Sequence, residues 1–178
     1  DGGVRYQMTH PLLMEVAYQA LPGAVRQRRH AAMVSALRQL EPTEVGRMAY
    51  HIRGAGNQAN AQTALEILVA AVADALDSKA GEDATRHADG AISVARRLGE
   101  AETVNWLQEK RAEAVEVAGH GDAAITAWRE AAEKSLADSQ SLDAARRLRR
   151  LAAVEWDAGR LADSQAHLDM ATAALAGV

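Results

Sequence analysis

From residue 61 onward the sequence repeats itself at an interval of 40 residues. Ala84, Ala124 and Ser164 share one register position, Ala88, Trp128 and Leu168 a second, and Ala91, Ala131 and Ala171 a third. Helix-breaking segments recur in step with them: Lys79-Ala80-Gly81, Gly119-His120-Gly121 and Gly159-Arg160-Leu161. A repeat of this length is one supersecondary unit that cannot bury its apolar face alone, so neighbouring units must stack. The predicted units run from Ala61 to Leu98, Ala101 to Leu136 and Ser141 to Leu175. Each reads as a long helix, a tight turn and a second helix, with small residues where helices must approach closely. Composition agrees. The chain has 41 alanines, no Phe and only three Tyr and three Trp, so its core has to be built from Ala, Leu, Val, Ile and Met. The expected fold class is all-α, with stacked antiparallel helix pairs.

The first 60 residues have a different character. They hold all three prolines (Pro11, Pro22, Pro42) and all three tyrosines, whereas the tryptophans (Trp106, Trp128, Trp156) all come later. Val4-Arg5-Tyr6-Gln7-Met8 is the only plausible strand. Thr9 or His10 then caps a helix with Pro11 in its first turn, where a missing N–H costs nothing. Its apolar stripe is Leu12, Leu13, Val16, Ala17 and Ala20. A second helix, from about Ala24 to Leu40, is expected to bury Val25, Ala32, Met33, Ala36, Leu37 and Leu40 and to turn Arg26, Arg28 and Arg29 to water. A third carries Val45, Met48, Ala49 and Ile52 before a break at Gly54-Ala55-Gly56-Asn57. The expected division is 1–22, 23–60 and 61–178.

The small–x3–large–x2–small pattern of Ala124, Trp128 and Ala131, then Ser164, Leu168 and Ala171, resembles the second helix of a tetratricopeptide repeat, with Gly119 and Gly159 at its inter-helix glycine. The chain departs from that pattern in lacking the early aromatic and the trailing proline, and in its longer period. The period resembles repeats in large bacterial regulators of the signal-transduction ATPase class, relatives of the LuxR-type (MalT-like) activators. Arg5-Tyr6-Gln7-Met8-Thr9-His10-Pro11-Leu12, continuing through Glu15-Val16-Ala17-Tyr18 and Leu21-Pro22, is similar to the segment that closes the winged-helix subdomain in those proteins. Arg28-Arg29-His30, Ala36-Leu37, Ala49-Tyr50-His51 and Ala55-Gly56 extend the likeness into the next helices. The resemblance implies a tetratricopeptide-like solenoid with a small winged-helix-like remnant at residues 1–22. It also implies a nucleotide-binding module upstream of Asp1 and a DNA-binding output module downstream of Val178. The opening Asp1-Gly2-Gly3-Val4, with no initiator Met and no signal pattern, fits a piece of such a longer protein.

No catalytic constellation is visible. Lys79, Lys110 and Lys134 are the only lysines, and none follows a Gly-x4-Gly phosphate loop. There is no cysteine, no His-Glu-x-x-His and no Gly-x-Ser-x-Gly. His10, His30, His51, His87, His120 and His167 never pair at ligand spacing on one helix, so no metal and no cofactor are expected. His10 and His51 are read as local caps or packing hydrogen bonds. The longest apolar run, Ile67 to Ala73, is far too short to cross a bilayer. Two arginine clusters, Arg26-Gln27-Arg28-Arg29 and Arg146-Arg147-Leu148-Arg149-Arg150, read as solvated, salt-bridged helix faces. With a formal charge of −4 and no aromatic beside either cluster, nucleic-acid binding is assigned only to a module outside these residues.

The sharper candidate is a groove. First helices of stacked pairs line the face where partners bind. The register puts Glu66, Val69 and Ala73 there from the first unit. Trp106, Glu109 and Glu113 follow from the second, and Arg146, Arg149 and Trp156 from the third. An acidic stripe beside a basic one, flanked by two indoles, suits a peptide or another domain. Alternatively, Glu109 and Glu113 pair with Arg146 and Arg149 between helices. The expected role is a non-catalytic regulatory arm of a cytoplasmic ATP-dependent transcriptional regulator. Its partners would be domains of the same polypeptide, a protein or peptide, or a small-molecule effector. A free-standing adaptor that binds a peptide in the groove is the alternative. The end face carrying Leu161, Leu168 and Leu175 is expected to mediate self-association.

Overall fold

In the computed structural model, residues 11–176 are described, and the chain divides into two compact units, Asp1–Asn60 and Ala61–Val178. The predicted strand at Val4–Met8 and the caps at Thr9 and His10 lie outside the described residues. Within them every regular element is helical.

The second unit is an all-α solenoid of six helices: α4 (Ala61–Asp77), α5 (Gly81–Leu98), α6 (Ala101–Val117), α7 (Gly121–Ala137), α8 (Ser141–Asp157) and α9 (Leu161–Leu175). Each packs chiefly on the next in sequence. Helices start at residues 61, 81, 101, 121, 141 and 161, so the geometric repeat is 20 residues, half the interval visible in the sequence. One turn, used five times, produces it. Lys79, Gly99, Gly119, Ser139 and Gly159 all have left-handed backbone, with φ of 60°, 76°, 81°, 56° and 75°. In each turn the following residue donates its N–H to a carbonyl five positions back: Ala80 to Ala75, Glu100 to Ala95, His120 to Val115, Gln140 to Ser135 and Arg160 to Glu155. These bonds close a Schellman motif. The same residue's carbonyl then accepts the first bond of the next helix, as Ala80 does from Ala84 and Gln140 from Ala144. Two of the five left-handed residues are not glycine, so only some of these turns announce themselves in sequence.

Small side chains make the stack tight. Ala112, Val115, Ala124, Ile125, Ala127, Trp128, Leu151 and Val154 form one core cluster across α6, α7 and α8. Ala132, Ala145, Leu148 and Ala171 form another across α7, α8 and α9. Gly81 starts α5 so close to the end of α6 that a Cβ there would lie 2.4 Å from the Ala118 backbone nitrogen. Glu82 and Asp122, equivalent positions 40 residues apart, each meet a side chain from the turn 38 residues on, His120 and Arg160, both at 2.6 Å.

The first unit comprises α1 (Pro11–Gln19), α2 (Gly23–Leu40), α3 (Val45–Ala55) and a 3-10 turn at Gly56–Gln58. Met48, Ala49, Ile52 and Ala55 of α3 are buried against α2. The stripe expected on α2 holds at Leu37 and is otherwise corrected. His30, Val34 and Leu37 are its buried residues, whereas Met33 is 43% exposed and Leu40 79%. α3 packs along the i, i+4, i+7 line from His30, which rotates Met33 out of the interface. The α1 stripe is also exposed at Leu12, Leu13 and Val16. α1 meets α2 through Tyr18 and His30 instead. Gly54 does not break α3 but lies within it, where a Cβ would meet the His30 ring at 2.6 Å; Gly56, at φ 53°, ends the helix.

Candidate interaction surface

Four of the six predicted groove residues line one cleft. Glu109 and Glu113 from α6 and Arg146 and Arg149 from α8 surround about 480 Å³, with Trp128, Arg150 and Ala153 completing the wall. Trp106 and Trp156 do not. The contacts from α8 to α6 (residues 146 and 147 with 109, and 150 with 116) show that these helices run parallel. Trp106 near the start of α6 and Trp156 at the end of α8 are therefore separated by about 20 Å along the helix axes. Both indoles are exposed, Trp106 at 39% and Trp156 at 63%, and they bracket the cleft rather than enter it.

Most of the charge in the cleft is satisfied internally, in the pairing expected from sequence for Glu109 and Arg146 but not for Glu113 and Arg149. Glu109 Oε2 accepts from Arg146 Nη2 at 2.8 Å and from Arg147 Nε at 3.1 Å. Glu113 pairs with Lys110 on its own helix at 2.8 Å. Arg150 holds Glu116, and that carboxylate also accepts from the Trp128 indole N–H at 3.0 Å. Arg149 is exposed on α8 and has no ion-pair partner among the described residues. It is the one lining arginine of this cleft left for an incoming anion.

The arginine clusters need correcting too. Arg147 is not solvated. Only 2% exposed, it donates to the Ala131 carbonyl at 3.1 Å, Ser135 Oγ at 2.6 Å and the Asn105 carbonyl at 3.0 Å, besides Glu109. A buried guanidinium needs this many acceptors to offset its lost hydration. Glu155 is likewise fully buried, between Arg129 at 3.1 Å and His167 at 2.7 Å. Sequence spacing could not single out either residue, because each is one charge in a charged helix. Nor are the clusters free of aromatics. Arg26 lies over the Tyr18 ring at 5.3 Å, and Trp128 forms part of the wall beside Arg146, Arg149 and Arg150.

Two histidines do pair, across helices rather than along one. His30 Nδ1 and His51 Nδ1 are 2.8 Å apart, and Tyr18 Oη is 2.9 Å from His30 Nε2. Neutral rings satisfy this chain when Tyr18 donates to His30 and one Nδ1–H is shared with the other ring. Burial, then the facing His30 and then Arg47, hold His51 below the ordinary histidine range. Beside the pair opens the first unit's cleft, about 750 Å³, between α1 and α2. No group of three or more potential metal ligands occurs among the described residues. Among them, no helix is long and apolar enough to cross a membrane.

Neither a protein-family model nor a curated protein matches this chain.

Proposed function

We propose that the chain is a non-catalytic interaction arm, a helical scaffold that holds an acidic protein segment across α6 and α8. The observation that carries this reading is Arg149, an unpaired cation in a cleft whose other charges are already satisfied, bracketed by two exposed indoles. Exposed aromatics and arginine are the side chains that most often anchor such contacts. The stacked architecture presents this face as a continuous surface, as solenoids do for their partners. Its resemblance to the repeat region of ATP-dependent LuxR-type regulators favours a regulatory arm over a free-standing adaptor. In that setting the segment held would be another domain of the same polypeptide.

The test is a fluorescence-polarisation titration of the intact chain with acidic and basic twelve-residue peptides carrying one aromatic. Saturable binding of acidic peptides, lost in Arg149→Glu and weakened in Trp156→Ala, supports the groove. Equal binding of both peptide classes, or none, overturns it. Sequencing the reading frame on both sides tests the regulatory setting. A phosphate loop upstream and a helix-turn-helix downstream support it, and a reading frame with neither leaves the adaptor.

A further inference from the structure

The cleft of the first unit has a composition that the groove reading does not use. Met14, Ala17 and Leu21 from α1 face Ala32, Met33 and Ala36 from α2, so the walls are apolar. Its polar end is formed by Tyr18, His30 and His51, and Arg26 and Arg29 stand at the lining as well. None of its described lining residues is acidic. Arg26 is committed to Gln19, whose carbonyl and side-chain oxygen it reaches at 3.3 Å. Arg29 has no partner among the described residues and is exposed on α2. A cavity of this size, apolar along its length with a few convergent polar groups at one end, has the character of a small-molecule site. The two methionines give walls that adapt to a flexible body.

We infer that this cleft binds a small organic acid with an elongated apolar body, its carboxylate toward Arg29 and its tail between α1 and α2. Charge complementarity fixes the class, because the lining offers cations and neutral donors but no anion. A cationic ligand would find no counter-charge, and a wholly apolar one would leave Arg29 unanswered. The Tyr18–His30–His51 chain closes the polar end and ties α1 to α2 and α3, so an occupant that fills the cleft also buttresses α1.

The experiment is isothermal titration calorimetry of the intact chain with decanoate, octanoate and decanol. Decanoate should bind saturably at one site per chain. Octanoate should bind more weakly by about fourfold per methylene removed. Arg29→Gln should weaken decanoate about tenfold, as expected for losing a charge-assisted contact, and leave decanol unchanged. Ala36→Phe, which fills the cleft, should abolish both, and Met33→Gln should reduce both, with circular dichroism confirming the helical content of each variant. Heat that does not saturate, or decanoate binding unaltered in Arg29→Gln and Met33→Gln, overturns the inference. Because Arg149→Glu lies in the other unit and should leave decanoate binding intact, this site and the α6–α8 groove fail independently.

Discussion

The Arg147 guanidinium meets the Glu109 carboxylate at 3.1 Å, joining α8 of one repeat to α6 of the preceding one while Arg147 itself is almost wholly buried. Three more of its N–H groups go to the Ala131 and Asn105 carbonyls and to Ser135. Three helices, α6, α7 and α8, thus converge on one cation, which fixes the rotation of α8 against its neighbours.

Removing that cation should be costly. Arg147→Ala leaves buried acceptors unpaired and is expected to lower stability by about 3–5 kcal/mol. Arg149→Ala, two positions along the same helix and exposed, should change it by less than about 0.5 kcal/mol. Urea unfolding followed by circular dichroism distinguishes them, and similar losses in both would refute the buried-network account.

The recurring turn makes a second prediction. Lys79 and Ser139 hold left-handed backbone that costs an L side chain roughly 1 kcal/mol. Lys79→Gly and Ser139→Gly should each raise the unfolding free energy, by about 0.5 kcal/mol after the extra freedom of the unfolded glycine is counted. Gly119→Ala and Gly159→Ala, at the matching positions, should lower stability by about 0.5 kcal/mol on the same reckoning. Opposite signs in either pair would remove the basis for the 20-residue turn.

Gly81 and Gly121 occupy equivalent positions at the starts of α5 and α7 but differ in surroundings. A Cβ on Gly81 would meet the backbone of Ala118 and Ala114, whereas one on Gly121 meets nothing within 4 Å. Gly81→Ala is expected to destabilise by more than about 2 kcal/mol through forced helix separation. Gly121→Ala should be neutral or mildly stabilising. Thermal melts of the two variants side by side decide the matter.

The histidine pair makes the first unit sensitive to acid. His51 titrates below its ordinary value of 6.5 in the folded chain, through burial first and then His30 and Arg47. Tyr18, Tyr50, Arg26 and Arg29 surround the same rings and supply no carboxylate to oppose this. The unfolded chain therefore takes the proton first, so the stabilisation is complete above pH 6.5 and is lost as the pH falls through the lowered folded value. Tyrosine near-ultraviolet circular dichroism, which reports the first unit because all three tyrosines precede residue 60, should show easier urea unfolding at pH 5 than at pH 7.5. His51→Gln should flatten that dependence.

The last described helix leaves Leu161, Leu168 and Leu175 at 55%, 40% and 44% exposed on one face. Leu168 is the register equivalent of Trp128, which is 5% exposed within the stack. We propose that in the isolated chain a second copy covers this face, in the place where a following repeat would otherwise pack. Light scattering should give a mass that rises with concentration, and Leu168→Glu should return it to that of one chain; a concentration-independent monomer would sink the idea.

The 40-residue interval, the alanine-rich composition and the helix breaks were enough to read six helices in three stacked pairs. Those features depend on local periodicity and backbone preference, which sequence carries directly. The middle of the groove was legible for the same reason, since i, i+4 spacing places Glu109 and Glu113, and i, i+3 spacing Arg146 and Arg149, on one helix face. The sequence did not reveal which charges are buried. Arg147 differs from Arg146 by about 100° of rotation around α8 and from Arg149 by about 200°, and packing against α6 and α7 turns those angles into burial. The His30–His51 pair was equally hidden, because its members sit 21 residues apart on different helices. The stripe on α2 was misread because apolar spacing there permits two faces, and only the docking of α3 selects one. Local chemistry set where each helix starts and stops. Long-range packing, through the close approach at Gly81 and the convergence on Arg147, set which face of each helix meets a neighbour and which remains open to a partner.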